Sequence, residues 1–329
     1  MFDNLISLDD ARRLAEKLRQ GYARRLLGAF SRTDARTAAA WRHTGHPPKH
    51  WGSIPAVRRR WNRLVTGDAD LEPADYVAQT YLAGRAPLAG LAVGCGTGAN
   101  ERRWAATGAF ARIDAYDLSA PRIAAARRAA AEAGLGAVLH FEAADVRSLA
   151  LPRHGYDVLL AENALHHFTP LEPVLDRLAA ALRPGGLVVV RDFVGPARFQ
   201  WTDRQLEAVA GLLRVLPAAY RQRWRSGTVK TRHFRPGRLA MRLSDPSEAA
   251  ESDRIRPLLR ARFRPVEERP FGGTVLHLLF DDIAHHFLDD TAETRRWLDL
   301  CFAAEDALLA SGELPSDFVF AVYRKPAGG

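Results

Sequence analysis

Leu91-Ala92-Val93-Gly94-Cys95-Gly96-Thr97-Gly98 is the stretch on which the fold turns. An apolar run, Leu88–Val93, breaks into a glycine turn, and a helical pattern then runs through Trp104. Glycines belong there because the turn is tight and the backbone must approach a ligand closely. A dinucleotide loop reads G-x-G-x-x-G, so that a pyrophosphate rests on the helix N-terminus. This loop reads G-x-G-x-G instead. Cys95 within it reads as a small packing residue. Asp117 closes the next apolar run, where a carboxylate can accept hydrogen bonds from both hydroxyls of a ribose. Asp145, after the third run, can accept from an adenine amino group. Either acid alone is equally well a helix cap. Two of them, ending consecutive strands behind a glycine turn, favour a nucleoside-bearing ligand.

Working outward, short apolar runs alternate with helical stretches. Strands are expected at Leu88–Val93, Ile113–Tyr116, Val138–Phe141, Tyr156–Ala161 and Leu187–Phe193, with helices at Pro121–Ala133 and Leu171–Leu182. The runs are continuously apolar rather than alternating, which predicts an α/β fold: a Rossmann-like, mostly parallel sheet with helices on both faces. Residues 1–82 read as a helical N-terminal segment. Ser7 caps its first helix, whose stripe is Leu14, Leu18, Tyr22 and Leu26, and a further helix falls at Val57–Val65. After strand five come a helix at Asp203–Leu216 and an arginine-rich stretch, Arg221–Arg264. A sixth strand is expected at Thr274–Phe280, a helix at Glu293–Leu309 and a last strand at Phe318–Tyr323. The chain thus divides into 1–82, a ligand-binding core 83–193, a helical lid insertion 194–271 and a C-terminal strand–helix–strand 272–329. An insertion after strand five lies near the carboxyl ends of the strands, where open α/β sheets bind ligands.

The 329 residues are 47% hydrophobic and 26% charged, as a packed globular core requires. No apolar run approaches the roughly 18 residues of a membrane span, and the N-terminus lacks an apolar signal core, so a soluble, cytoplasmic protein is expected. The net charge of +9 is almost all arginine, dispersed along helices rather than clustered, which reads as solvated helix faces and not as a nucleic-acid surface. The two cysteines, Cys95 and Cys301, form no metal-spaced cluster. The pairs His43/His46 and His285/His286 have no carboxylate or thiol at matching spacing, so no metal is expected.

Leu91–Gly98, Tyr116-Asp117-Leu118-Ser119, Ala144-Asp145-Val146, Tyr156-Asp157 with Leu165-His166-His167-Phe168, and Leu182-Arg183-Pro184-Gly185-Gly186 resemble the successive motifs of class I S-adenosylmethionine (SAM) dependent methyltransferases. The resemblance covers about Pro87 to Asp192. It implies a seven-stranded sheet whose last strand is antiparallel. It also implies that Gly94, Cys95, Gly96 and Gly98 pass under the methionine portion of SAM, that Asp117 takes the ribose and Leu118 packs on adenine, that Asp145 and Val146 read the adenine edge, and that Ala161 and Glu162 lie near the sulfonium. Val57–Asn62, Asp192–Pro196 with Phe199–Asp203, and Asp245–Ala249 resemble a bacterial subgroup found among saccharide and natural-product genes. The subgroup carries Tyr at Phe193 and Arg at Glu251, which implies a different substrate pocket here.

Methyl transfer needs an aligned acceptor and, for some acceptors, a base. His166 and His167 follow strand four. Either is a candidate base, and either could instead hold the loop by a hydrogen bond. Asp192 reads as a structural cap. Gln200, Trp201, Glu248 and His277 are candidates to line the acceptor pocket, and Arg59 or Arg60 to pair with the SAM carboxylate. The function expected is methyl transfer from SAM to a small molecule in bacterial secondary metabolism. Two alternatives stay open: a non-methylating cyclisation or rearrangement in the same site, and an RNA methyltransferase or binding module. A homodimer through the N-terminal helices is also open.

Overall fold

A computed structural model describes residues 50–327 apart from Ala86 and Arg225. The expected helix behind Ser7, and His43 and His46, lie outside the described residues. The sheet has seven strands: β1 Leu88–Val93, β2 Phe110–Asp117, β3 Leu139–Ala143, β4 Tyr156–Glu162, β5 Leu182–Phe193, β6 Arg264–Pro270 and β7 Phe318–Arg324. Their order is β3-β2-β1-β4-β5-β7-β6. β1 to β5 run parallel, and β7 lies antiparallel between β5 and β6. The order reverses between β1 and β4. A crevice opens at the carboxyl ends of the strands on either side of such a reversal, and that is where open α/β sheets hold ligands.

The central strands are apolar throughout because both faces are covered. On one face Ala92, Ile113, Val158, Leu160, Leu187, Val189, Phe320 and Val322 pack under α1 (Pro55–Thr66), α3 (Ala99–Ala106), α4 (Ala120–Glu132), α6 (Asp203–Val215) and α10 (Ala292–Ala310). Between α1 and α3 lies the short α2, Pro73–Val77. On the other face Leu91, Val93, Leu159, Val188, Val190, Ala321 and Tyr323 meet α5 (Leu171–Ala181) and α8 (Ile255–Arg262). Two further α-helices among the described residues are α7, Arg238–Ser244, and α9, Leu276–Phe280.

The sixth strand corrects the sequence reading. Thr274–Phe280 is not a strand: Leu276–Phe280 is a short buried helix. Gly272 and Gly273 precede it in the left-handed region, at φ 83° and 80°. The first N–H groups of a helix lack acceptors within it. Here the fully buried Glu305 of α10 accepts from Val275 N–H at 2.9 Å and Leu276 N–H at 3.1 Å. The actual strand, Arg264-Pro265-Val266-Glu267-Glu268-Arg269-Pro270, has no apolar run. It is an edge strand, where proline and charge are tolerated and discourage further pairing. Glu267 accepts from Tyr76 Oη at 3.1 Å and Tyr81 Oη at 2.8 Å, and Glu268 accepts from Tyr323 Oη at 2.6 Å. The expected insertion 194–271 therefore contains β6, and the stretch between β5 and β6 runs from 194 to 263. Parts of it belong to the core: Val209 and Leu213 of α6 pack on one face of the sheet, Ile255 and Leu259 of α8 on the other.

Candidate functional site

The turn between β1 and α3 is left-handed at all three glycines, with φ 64°, 56° and 71° at Gly94, Gly96 and Gly98. Two of them are also packed too closely for any side chain. A Cβ on Gly94 would stand 2.9 Å from Ala164 Cβ, and one on Gly98 2.5 Å from Phe141 Cζ. Cys95 is buried and its thiol is pushed well up, chiefly by burial, so it packs and does not attack. Asp117, at the end of β2, fixes the turn. Its Oδ2 accepts from Gly96 N–H at 2.9 Å and its Oδ1 from Ser119 N–H at 2.8 Å. Leu118 beside it is 38% exposed, an apolar side chain left on the surface of the crevice.

At the end of β3, Val146 is buried. Asp145 has a partner that its position in the sequence does not announce. The Arg147 guanidinium donates to its two oxygens, Nε at 2.9 Å and Nη2 at 2.8 Å, and Arg147 N–H donates at 2.9 Å. Burial pushes the Asp145 carboxyl up, and Arg147 more than offsets this, so it lies below the usual carboxylate range. At the end of β4, Ala161 is fully buried. Glu162 accepts from Trp104 Nε1–H at 2.5 Å and pairs with Arg191 Nε at 2.8 Å. Glu72, Asn100, Arg103, Glu162 and Arg191 line a small recess there. Arg59 and Arg60 do not reach it. Arg59 is paired with Asp70, and Arg60 with Glu305 and Asp306 of α10.

Glu101 was not foreseen. It sits in the first turn of α3, 5% exposed, and its Oε2 has no hydrogen-bond partner among the described residues. Burial, with Glu162 and Asp117 nearby, pushes its carboxyl up to about 8. A buried carboxyl oxygen without a partner, with further acids nearby, fits a cationic ligand.

The other end of the crevice is built on Asp192, which is fully buried at the end of β5. Its Oδ2 accepts from Ala164 N–H at 3.0 Å and Leu165 N–H at 2.7 Å, and its Oδ1 from Phe193 N–H at 2.8 Å. The same Oδ1 holds His166 Nδ1. Asp192 thus shapes the 3₁₀ turn Leu165–His167 and fixes the imidazole, leaving Nε2 on the side of Glu248. Burial lowers the pKa of His166, but Asp192 and Glu248 outweigh it and the net shift is upward. His167 is pushed well down by burial and by His166, whose ring centroid is 3.9 Å away.

Glu248 reaches this pair from the 194–263 stretch. Its Oε1 lies 3.8 Å from His166 Nε2 and its Oε2 3.6 Å from His167 Nδ1. Burial pushes its carboxyl up to about 7. The other expected pocket residues do different work. Gln200 Nε2 ties backbone together, donating to Arg198 O and Pro236 O at 2.8 and 2.9 Å. Trp201 is buried and stacks on Phe199, with centroids 5.3 Å apart. His277 packs against Phe193, Phe199, Trp201 and Phe318, and burial pushes its pKa down to about 4. Phe193 is part of this aromatic wall. Glu251 docks the loop on the start of α5, accepting from Thr169 Oγ1 at 2.9 Å and Leu171 N–H at 3.2 Å.

With this geometry in view, residues 91–186 match a family described as a methyltransferase domain. An uncharacterized methyltransferase of Mycobacterium tuberculosis is 35% identical over 107 residues, covering 32% of this chain and 51% of that protein. The 27-O-demethylrifamycin SV methyltransferase of Amycolatopsis mediterranei is 34% identical over 130 residues, covering 38% and 47%. A ubiquinone biosynthesis O-methyltransferase of Bradyrhizobium is 33% identical over 100 residues, covering 30% and 38%. The chain spans about half or less of the length of these relatives.

Proposed function

Because residues 91–186 match a methyltransferase domain, we propose that the chain is a class I SAM-dependent methyltransferase and methylates a small-molecule acceptor bound between the glycine turn and the His166–Glu248 end of the crevice. The observation that carries this reading is Asp117, whose carboxylate joins the turn to the end of β2 where a ribose would lie. The likeness to rifamycin and ubiquinone methyltransferases supports a small acceptor, and the former supports a role in secondary metabolism.

In this reading Gly94, Cys95, Gly96 and Gly98 offer backbone to the methionine portion. Asp117 takes the ribose, Leu118 packs on the adenine, Asp145 and Val146 read its edge, and Ala161 and Glu162 stand beside the sulfonium. SAM supplies the activated methyl group, which an acceptor lone pair displaces in line, leaving S-adenosylhomocysteine. The protein's own contribution is alignment and proton removal. Asp192 holds His166 Nδ1–H, so the lone pair on Nε2 is presented to the acceptor, with His167 and Glu248 beside it. A shift upward from the ordinary imidazole value brings such a base toward the working pH.

The test is label transfer from methyl-labelled SAM to a panel of hydroxyl- and amine-bearing small molecules. A product heavier by about 14 Da, the mass of CH₂, supports the reading. For that acceptor, His166→Ala should lower the rate about 10²–10⁴-fold while leaving cofactor affinity unchanged. Conversion at unchanged mass, or an undiminished rate in H166A, would overturn it.

A further inference from the structure

His166 and His167 stand side by side on one turn, and Glu248 closes on them from a distant loop. One ligand atom from each of the three residues lies within 4.8 Å of the other two. His166 Nε2 stands 3.8 Å from Glu248 Oε1, and His167 Nδ1 3.6 Å from Glu248 Oε2. A tetrahedral ion with bonds of about 2.1 Å sets its ligands about 3.4 Å apart. A closure of up to about 1.4 Å between the farthest two of them brings the three onto one ion. We propose that His166, His167 and Glu248 form a binding site for a divalent transition-metal ion of zinc-like preference.

Two further features of the structure support this. Metal-bound imidazoles commonly donate their other ring N–H to a carboxylate, which fixes the tautomer and strengthens the ligand. Asp192 stands in that position behind His166, and it is itself held by three backbone N–H groups. Two imidazole nitrogens with one carboxylate suit zinc and its neighbours rather than magnesium or calcium, which prefer oxygen alone. Three protein ligands leave a fourth position for water or for an oxygen or nitrogen of the acceptor.

The site itself does not depend on methyl transfer, but its consequence rests on the function proposed above. An ion on Nε2 of His166 occupies the lone pair that would take the acceptor's proton. Ion binding and proton removal by His166 are then mutually exclusive, and the ion controls which chemistry the crevice offers.

The test is a titration of the full chain, freed of any purification tag, with zinc chloride and separately with cobalt chloride. Calorimetry should show one tight equivalent, and cobalt should give an intense d–d absorption characteristic of four-coordination. His167→Ala and Glu248→Gln should each weaken binding at least about 10-fold, and Asp192→Asn about 10–100-fold. Circular dichroism confirms that each variant is folded, and the cobalt spectrum of the unaltered protein reads the site without any variant. The proposal is overturned if no equivalent binds, or if both H167A and E248Q keep full affinity, since the ion would then sit on other histidines. Neither titration requires SAM, so failure here is distinct from failure of the methyltransferase reading.

Discussion

Glu101 shows at the scale of one residue how the site conflicts with stability. A carboxyl near 8 in the folded protein and near 4.5 in the free chain means that the folded state keeps a proton the unfolded state has released between those values. Stability therefore falls as pH rises from about 4.5 to about 8. Glu101→Gln removes that slope. In urea denaturation the variant is expected to match the parent at pH 5 and to exceed it by roughly 1–3 kcal/mol at pH 8.5. An unchanged difference across that range would show that Glu101 ionises freely. At this scale the glycines and Asp117 were legible in sequence, because a left-handed turn and a strand-end acid are local requirements. Glu101 was not, since only the packing of α3 against the sheet buries it. The two partners of His166 also come from far along the chain, Asp192 at the end of β5 and Glu248 from a loop beyond α7.

At the scale of elements, the contrast between α9 and β6 marks where apolar patterning stops informing. A run such as Thr-Val-Leu-His-Leu-Leu-Phe is buried either as a strand or as a helix, and periodicity over so short a length does not separate them. Two left-handed glycines and the carboxylate of Glu305 make it a helix. β6 went unseen for the opposite reason. Its contacts are ionic and phenolic, through Glu267 and Glu268, and it pairs only at the sheet edge. The five parallel strands were legible because each is an apolar run bounded by a turn. Glu305→Ala should strip acceptors from Val275 and Leu276 and a partner from Arg60, at a cost of roughly 2–4 kcal/mol. Chemical denaturation reads this directly, and a cost under about 0.5 kcal/mol would show that α9 needs no such cap.

On the scale of the whole molecule, the reversal of strand order between β1 and β4 gathers the glycine turn, Asp117 and Glu162 at one end of the sheet. The stretch between β5 and β6 brings Glu248 to the same crevice from above. Among the described residues many arginines stand in dispersed ion pairs, such as Arg183 with Asp157, Arg256 and Arg260 with Glu268, and Arg262 with Asp176. Among the described residues no helix is long and apolar enough to cross a membrane. The crevice is expected to bind SAM through the turn that Asp117 holds. Calorimetric titration with SAM and with S-adenosylhomocysteine tests it most directly. The account predicts one site for each ligand and about 10–100-fold weaker binding in Asp117→Ala, the loss of charged hydrogen bonds to a ribose. No heat of binding from either ligand, or equal affinity in D117A, would contradict it.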